Sequence, residues 1–133
     1  MSARAFGLAA AILAASAPAA AENWRSASAG MGAAAFIDTD SIRREGDRVS
    51  FWREVRWPEP RALEGGGRFD RIAALYEGDC RAMTMRTMEV RAKLAGEIVY
   101  SGRASGEVES PAPGTNGHVD LRAACFGDWP AAN

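Results

Sequence analysis

Between Arg48 and Trp57 the apolar side chains fall on alternate positions. Val49, Phe51, Val55 and Trp57 share one parity, with Arg53 the only interruption. A period of two marks a strand with one buried face. Phe69 to Gly78 repeats the pattern: Ile72, Ala74 and Tyr76 share parity with Cys80, so that thiol is expected on the apolar side. Weaker strands are read at Trp24–Ser28, Ala33–Ile37, Ala82–Ala92 and Glu97–Ser105. The segment from Ala82 has fair helix propensity, but Thr84, Thr87 and Val90 and its hairpin context favour a strand. Gly30-Met31-Gly32 punctuates a turn, and Gly78-Asp79 is expected to make another. Pro58 and Pro60 are expected to end the third strand, and Gly65-Gly66-Gly67 extends a loop. After Pro111-Ala-Pro-Gly114, Thr115 can cap a short helix reaching Cys125. Phe126, Trp129 and Pro130 then form a tail that can pack back on the domain.

About six strands joined by short turns, then one helix, predict an α+β fold. An antiparallel sheet should carry the helix on one face. The chain has 133 residues. Arg4, the uncharged run Ala5–Ala15 and Ala19-Ala20-Ala21 have the order of a cleavable export signal, with cleavage before Glu22. The run, as a helix, spans about 16 Å against a bilayer core of about 30 Å, too short for an anchor. Residues 1–21 are thus read as a signal peptide and 22–133 as one domain of 112 residues, enough for one modest core. No cysteine lies near the cleavage site to take a lipid. No later run approaches a membrane span.

Export changes the meaning of Cys80 and Cys125, the only cysteines. Outside the reducing cytosol they are expected to form one disulfide. The bond would enclose a loop of about 45 residues and contribute about 4 kcal/mol in the chain-entropy model. Without Arg4 the domain has 15 basic and 17 acidic side chains, net −2. No basic block stands out, which argues against nucleic acid.

Candidate chemistry is sparse. Asp38, Asp40 and Ser41 supply too few oxygens for Ca²⁺, and capping of backbone N–H groups explains them better. His118 is the only histidine, placed at the start of the last helix with Asp120 two residues on. A Gly-x-Ser-x-Gly nucleophile turn is lacking. Glu77 and Asp79 could suggest paired-carboxylate hydrolysis, but Arg71 and Arg81 nearby offer them a structural use. Met83, Met85 and Met88 could bind Cu(I), with core packing the default. Arg48, Arg53, Arg56, Arg68 and Arg71 lie near Trp52 and Trp57. Arg and Trp are enriched at interface hot spots, so Trp52, Arg53, Arg56 and Trp57 are the candidate partner-binding residues, set against a plain solvated face.

Several words of the sequence occur together in a known order. They are Trp24, Phe36-Ile37-Asp38-Thr39-Asp40-Ser41-Ile42, Trp52, Ala74-Leu75-Tyr76-Glu77-Gly78-Asp79-Cys80, and Pro113-Gly114-Thr115 before Cys125. With the paired cysteines, they resemble the surface-adhesin E family of small exported bacterial proteins. The resemblance covers nearly the whole mature chain. It implies a curved antiparallel sheet with a C-terminal helix disulfide-bonded across it, and a role in adhesion. The family prototype binds host matrix proteins and has been linked to haem. This chain departs from the pattern in its alanine-rich helix and in lacking a lipid-attachable cysteine. No ligand-binding residue of the prototype is carried over.

The reading is therefore an exported, non-enzymatic, adhesin-like binding protein of the bacterial envelope, periplasmic or secreted. No cofactor, metal, nucleic acid or membrane span is expected. The partner is an unknown macromolecule or envelope component, and a homodimer is open. Two alternatives stand beside it. One is a periplasmic inhibitor of a lysozyme or protease acting through the Glu59–Arg68 loop. The other is a haem or small-ligand binding protein.

Overall fold

The computed structural model describes residues 22–131. The expected signal peptide lies outside the described residues. Among the described residues eight strands form one antiparallel sheet, followed by a single helix. The strands are β1 (Trp24–Gly30), β2 (Ala33–Asp38), β3 (Arg43–Glu45), β4 (Arg48–Ala62), β5 (Arg68–Asp79), β6 (Thr84–Leu94), β7 (Glu97–Arg103) and β8 (Val108–Glu109). The helix α1 is Asn116–Phe126. Six strands follow one path, β1-β2-β4-β5-β6-β7, with β3 added on β4 and β8 on β6.

The expected six strands are that path, and the count of eight corrects it. β2 and β3 share one edge of β4: β2 covers Arg53–Arg56 and β3 covers Arg48–Ser50. Between them Thr39–Ser41 make a single 3₁₀ turn. Asp38 caps that turn, its carboxylate accepting from Asp40 N at 3.1 Å, and Ser41 Oγ accepts from Trp52 N at 2.8 Å. The gap in the ladder is thus closed by a side chain, and the capping role expected of Asp38 holds. β3 has no apolar residue, and only its pairing with β4 makes it a strand.

Two turn expectations are corrected. Pro58 and Pro60 do not end β4, which runs on to Ala62. β2 pairs no further than Arg56, and pairing with β5 lapses between Arg56 and Arg61. The prolines therefore sit where no ladder donor is required. The loop beyond is correspondingly shorter than Glu59–Arg68: β4 ends at Ala62 and β5 starts at Arg68. Gly78 and Asp79 remain in β5, and the turn follows at Cys80–Met83. The Asp79 carboxylate accepts from Arg81 N and Ala82 N, both at 2.9 Å. Those two donors hold its pKa below the usual carboxylate range.

The core lies between the sheet and α1. Ile37, Val49, Phe51 and Met85 pack there against Leu121, Ala123 and Cys125. Phe51 stacks on Tyr76 with ring centroids 5.7 Å apart. A Cβ on Gly78 would lie 2.7 Å from Leu121 Cδ1 and 3.1 Å from Val49 Cγ1, so glycine is what lets the helix settle. Thr115 caps α1 by accepting from His118 N, and Gly127 ends it in the left-handed conformation. Cys80 and Cys125 form the expected disulfide, Cα to Cα 5.6 Å.

The helix has further ties. Asp120, fully buried, accepts from Arg53 Nε at 2.5 Å and from Ser28 Oγ at 3.0 Å. Arg44 donates to the Cys125 carbonyl. The tail returns as expected, with Trp129 against the core and Arg25 4.3 Å over its ring.

Candidate functional site

Strand alternation divides the four candidate binding residues between two faces. Phe51 and Val49 face α1, so Arg53 and Trp57 take that side, while Trp52 and Arg56 point away from it. Arg53 is consumed by Asp120 beneath the helix. Trp57 meets Phe69 edge-on, with centroids 5.4 Å apart. The structure brings Trp52 and Arg56 together on the face opposite the helix. It adds residues that sequence reasoning missed: Trp24, Glu54, Arg91 and Lys93.

Those additions follow from register. Glu54 lies opposite Phe36 on β2 and Ala73 on β5, and Ala73 lies opposite Arg91 on β6. One row along, Arg56, Arg71 and Lys93 are register partners across three strands. Ala73 is small and buried, leaving a hollow over which the β6 side chains reach. Lys93 Nζ donates to Glu54 Oε2 at 2.9 Å. Arg56 Nε and Arg71 Nη1 donate to Glu54 Oε1 at 2.7 and 3.3 Å. Arg91 lies 4.4 Å over the Trp52 ring and pairs with Glu89 at 3.1 Å.

Glu54 is 0% exposed. Burial pushes its carboxyl up, but the hydrogen bonds and charges of Lys93 and Arg56 outweigh this, and its pKa ends below the usual glutamate range. The carboxylate is therefore ionised, and a poor proton acceptor at neutral pH. Beside this centre, sharing Lys93 with it, is a cleft of about 450 Å³. Ala73 and Leu75 line it, together with Trp24 and Trp52, Arg91 and Lys93, and, from the other elements, Glu22, Asp40 and Arg43. Its size falls in the range of ligand sites, about 300–1,000 Å³. Arg56 lies 4.1 Å from the Phe36 ring and 5.7 Å from that of Trp24, and Lys93 also 5.7 Å from Trp24. The aromatic groups are thus held by cations on the same face.

The family model for surface-adhesin protein E matches residues 24–126. The chain belongs to the surface-adhesin protein E family. The match runs from the cleft residue Trp24 to the last residue of α1, so it takes in the sheet, the disulfide and nearly all of the cleft. No curated protein matches the chain.

Several other candidates of this family member have structural uses. Asp38 accepts from Asn23 N and Asp40 N as a cap. Glu77 pairs with Arg86 at 2.7 Å and Asp79 caps its turn. Met85 is buried in the core and Met83 packs against it. Among the described residues no group of three or more His, Cys, Asp or Glu side chains is placed to hold a metal ion. No helix among them is long and apolar enough to cross a membrane.

Proposed function

We propose that this family member is an exported adhesin-like binding protein of the bacterial envelope. It holds its partner at the cleft between Trp24 and Trp52 and performs no chemistry there. The signal peptide is removed before Glu22, and the mature chain works in the periplasm or outside the cell. Membership of an adhesin family supports a role in contact with an external component. A disulfide within the domain supports an oxidising compartment.

The observation that carries the cleft assignment is how the polar groups in it and beside it are spent. Glu54 is held ionised by three cations, and Arg91 is committed to Trp52 and Glu89. These contacts make a rigid, preformed surface rather than a proton-transfer pair. Trp and Arg side chains on such a surface are the usual carriers of binding energy.

The test is a crosslinking pull-down from native envelope and from host matrix, with the oxidised mature chain as bait. Trp52→Ala should lose the captured component while keeping its melting temperature. Equal capture by wild type and variant would overturn the cleft assignment. Turnover of a captured component would overturn the non-catalytic reading.

A further inference from the structure

The row Arg56–Arg71–Lys93 is an unbalanced charge. Three cations on neighbouring strands converge on one carboxylate, that of Glu54. The Glu54 side chain is 1% exposed, whereas those of Arg56, Arg71 and Lys93 are 26%, 41% and 15% exposed. The negative charge therefore lies underneath and the positive ends above it. An approaching ligand meets two uncompensated positive charges in a row. Guanidinium groups recognise planar and tetrahedral oxyanions through paired N–H donors. Arg56 gives Glu54 its Nε and Arg71 its Nη1, so each partly exposed guanidinium has further N–H groups beyond those bonded to Glu54.

The cleft beside this row has a different character. Trp24, Trp52, Leu75 and Ala73 supply apolar surface, and Lys93 belongs to both row and cleft. On another part of the lining Glu22 and Asp40 are exposed carboxylates, which accept hydrogen bonds and offer none. A ligand filling both parts needs an anionic group, a flat apolar body and several hydroxyl donors. Resting on the cleft as the binding site, the geometry points to an anionic saccharide, a pyranose chain bearing carboxylate or sulfate groups. Its ring lies against the indoles, its anion on Arg56 and Arg71, and its hydroxyls donate to Glu22 and Asp40. A nucleic acid fits less well. Its continuous phosphate backbone would run against Glu22, Asp40 and Glu89, and the domain has a net charge of −2 after removal of Arg4.

The test is calorimetric and tryptophan-fluorescence titration of the oxidised mature protein with four probes. They are a galacturonate tetrasaccharide, a sulfated galactan tetrasaccharide, neutral maltotetraose and a single-stranded oligonucleotide of equal charge. At least one anionic saccharide should bind about tenfold or more tighter than maltotetraose, the worth of one or two charge-assisted hydrogen bonds. Comparing the first two probes decides between carboxylate and sulfate. Arg71→Gln leaves Glu54 with two cations, so it should keep the fold, lose most of that preference and flatten the salt dependence. Trp52→Phe should weaken all saccharides together. Equal affinity for maltotetraose, tighter binding of the oligonucleotide, or an unchanged preference in Arg71→Gln would each overturn the inference. Should no saccharide bind while the pull-down partner still depends on Trp52, the ligand class falls and the cleft stands. Should that partner be indifferent to Trp52 as well, both fall.

Discussion

Glu54 shows how one buried charge can organise a surface. Burial opposes ionisation of its carboxylate, but the hydrogen bonds and charges of Lys93 and Arg56 outweigh this and lower its pKa from the ordinary 4.5. A depressed folded-state pKa stabilises the fold above the unfolded value, and that stabilisation is lost as pH falls through the folded value. Wild-type stability should therefore drop as pH is taken below about 4.5, and Glu54→Gln should lack this part of the acid slope. At neutral pH the variant leaves three cations without their counter-charge. Breaking a fully buried pair costs about 3–5 kcal/mol, and here the cations keep some water, so about 2–3 kcal/mol is expected. Urea unfolding of both proteins between pH 3 and 7 checks it. Parallel pH profiles for the two would show that Glu54 does not carry the effect. The sequence contained part of this site. Trp52, Glu54 and Arg56 share parity on a strand whose alternation is plain. Grouping Trp52 with Arg53 and Trp57 followed nearness in the chain and ignored that period. Lys93 and Arg91 could not be found without the β5–β6 register, which shifts between Leu75 and Tyr76. No local pattern encodes that shift.

At the scale of elements, legibility followed pairing. β4 and β5 declared themselves because each is long and carries a run of alternating apolar side chains. β3 and β8 did not, because three and two residues with no apolar alternation become strands only when a long neighbour offers a free edge. The prolines of β4 misled for the same reason: their meaning depends on whether a partner strand needs the missing donor. The helix illustrates a different limit. Its thin apolar face was readable, and the disulfide was expected as its tie, but the Arg53–Asp120 pair was not. Of the ties on α1, the disulfide and the Arg53–Asp120 pair separate experimentally. Cys125→Ser or reduction should cost about 2–5 kcal/mol. Hydrogen exchange should show α1 opening before β4 and β5. Arg53→Ala strands a fully buried carboxylate and should cost about 3–5 kcal/mol. Because Arg53 lies on the helix side, ligand affinity measured below the melting temperature should hold. Loss of binding in Arg53→Ala with stability intact would mean that Arg53 reaches the ligand after all. A reduced protein with an unchanged melting temperature would mean that the polar ties from Arg53, Ser28 and Arg44 hold the helix without the disulfide.

The whole molecule is one sheet with one face closed by α1 and the tail, the other carrying the charged, aromatic cleft. Such an arrangement suits a domain that must be stable alone and present a surface outward. Where its chain starts then matters to function as well as to transport. Asn23 is anchored at both backbone groups. Its N–H donates to Asp38 Oδ1, and its carbonyl accepts from Thr39 N at 2.9 Å. Glu22 accepts from Trp24 Nε1 at 2.9 Å and lines the cleft. Cleavage after Ala21 leaves this corner intact, whereas cleavage two residues later would remove both Glu22 and Asn23. The exported protein should therefore begin at Glu22, carry no lipid and contain no free thiol, as read by intact mass and thiol labelling of extracellular and periplasmic fractions. A form made without residues 1–21 should stay reduced in the cytosol, melt lower and be degraded faster. It should recover on oxidation in vitro, because the Cys80–Cys125 geometry requires no partner. Exported material that retains residues 1–21 would refute cleavage before Glu22, and exported material that carries free thiols while fully folded would refute the disulfide as a tie of the working protein.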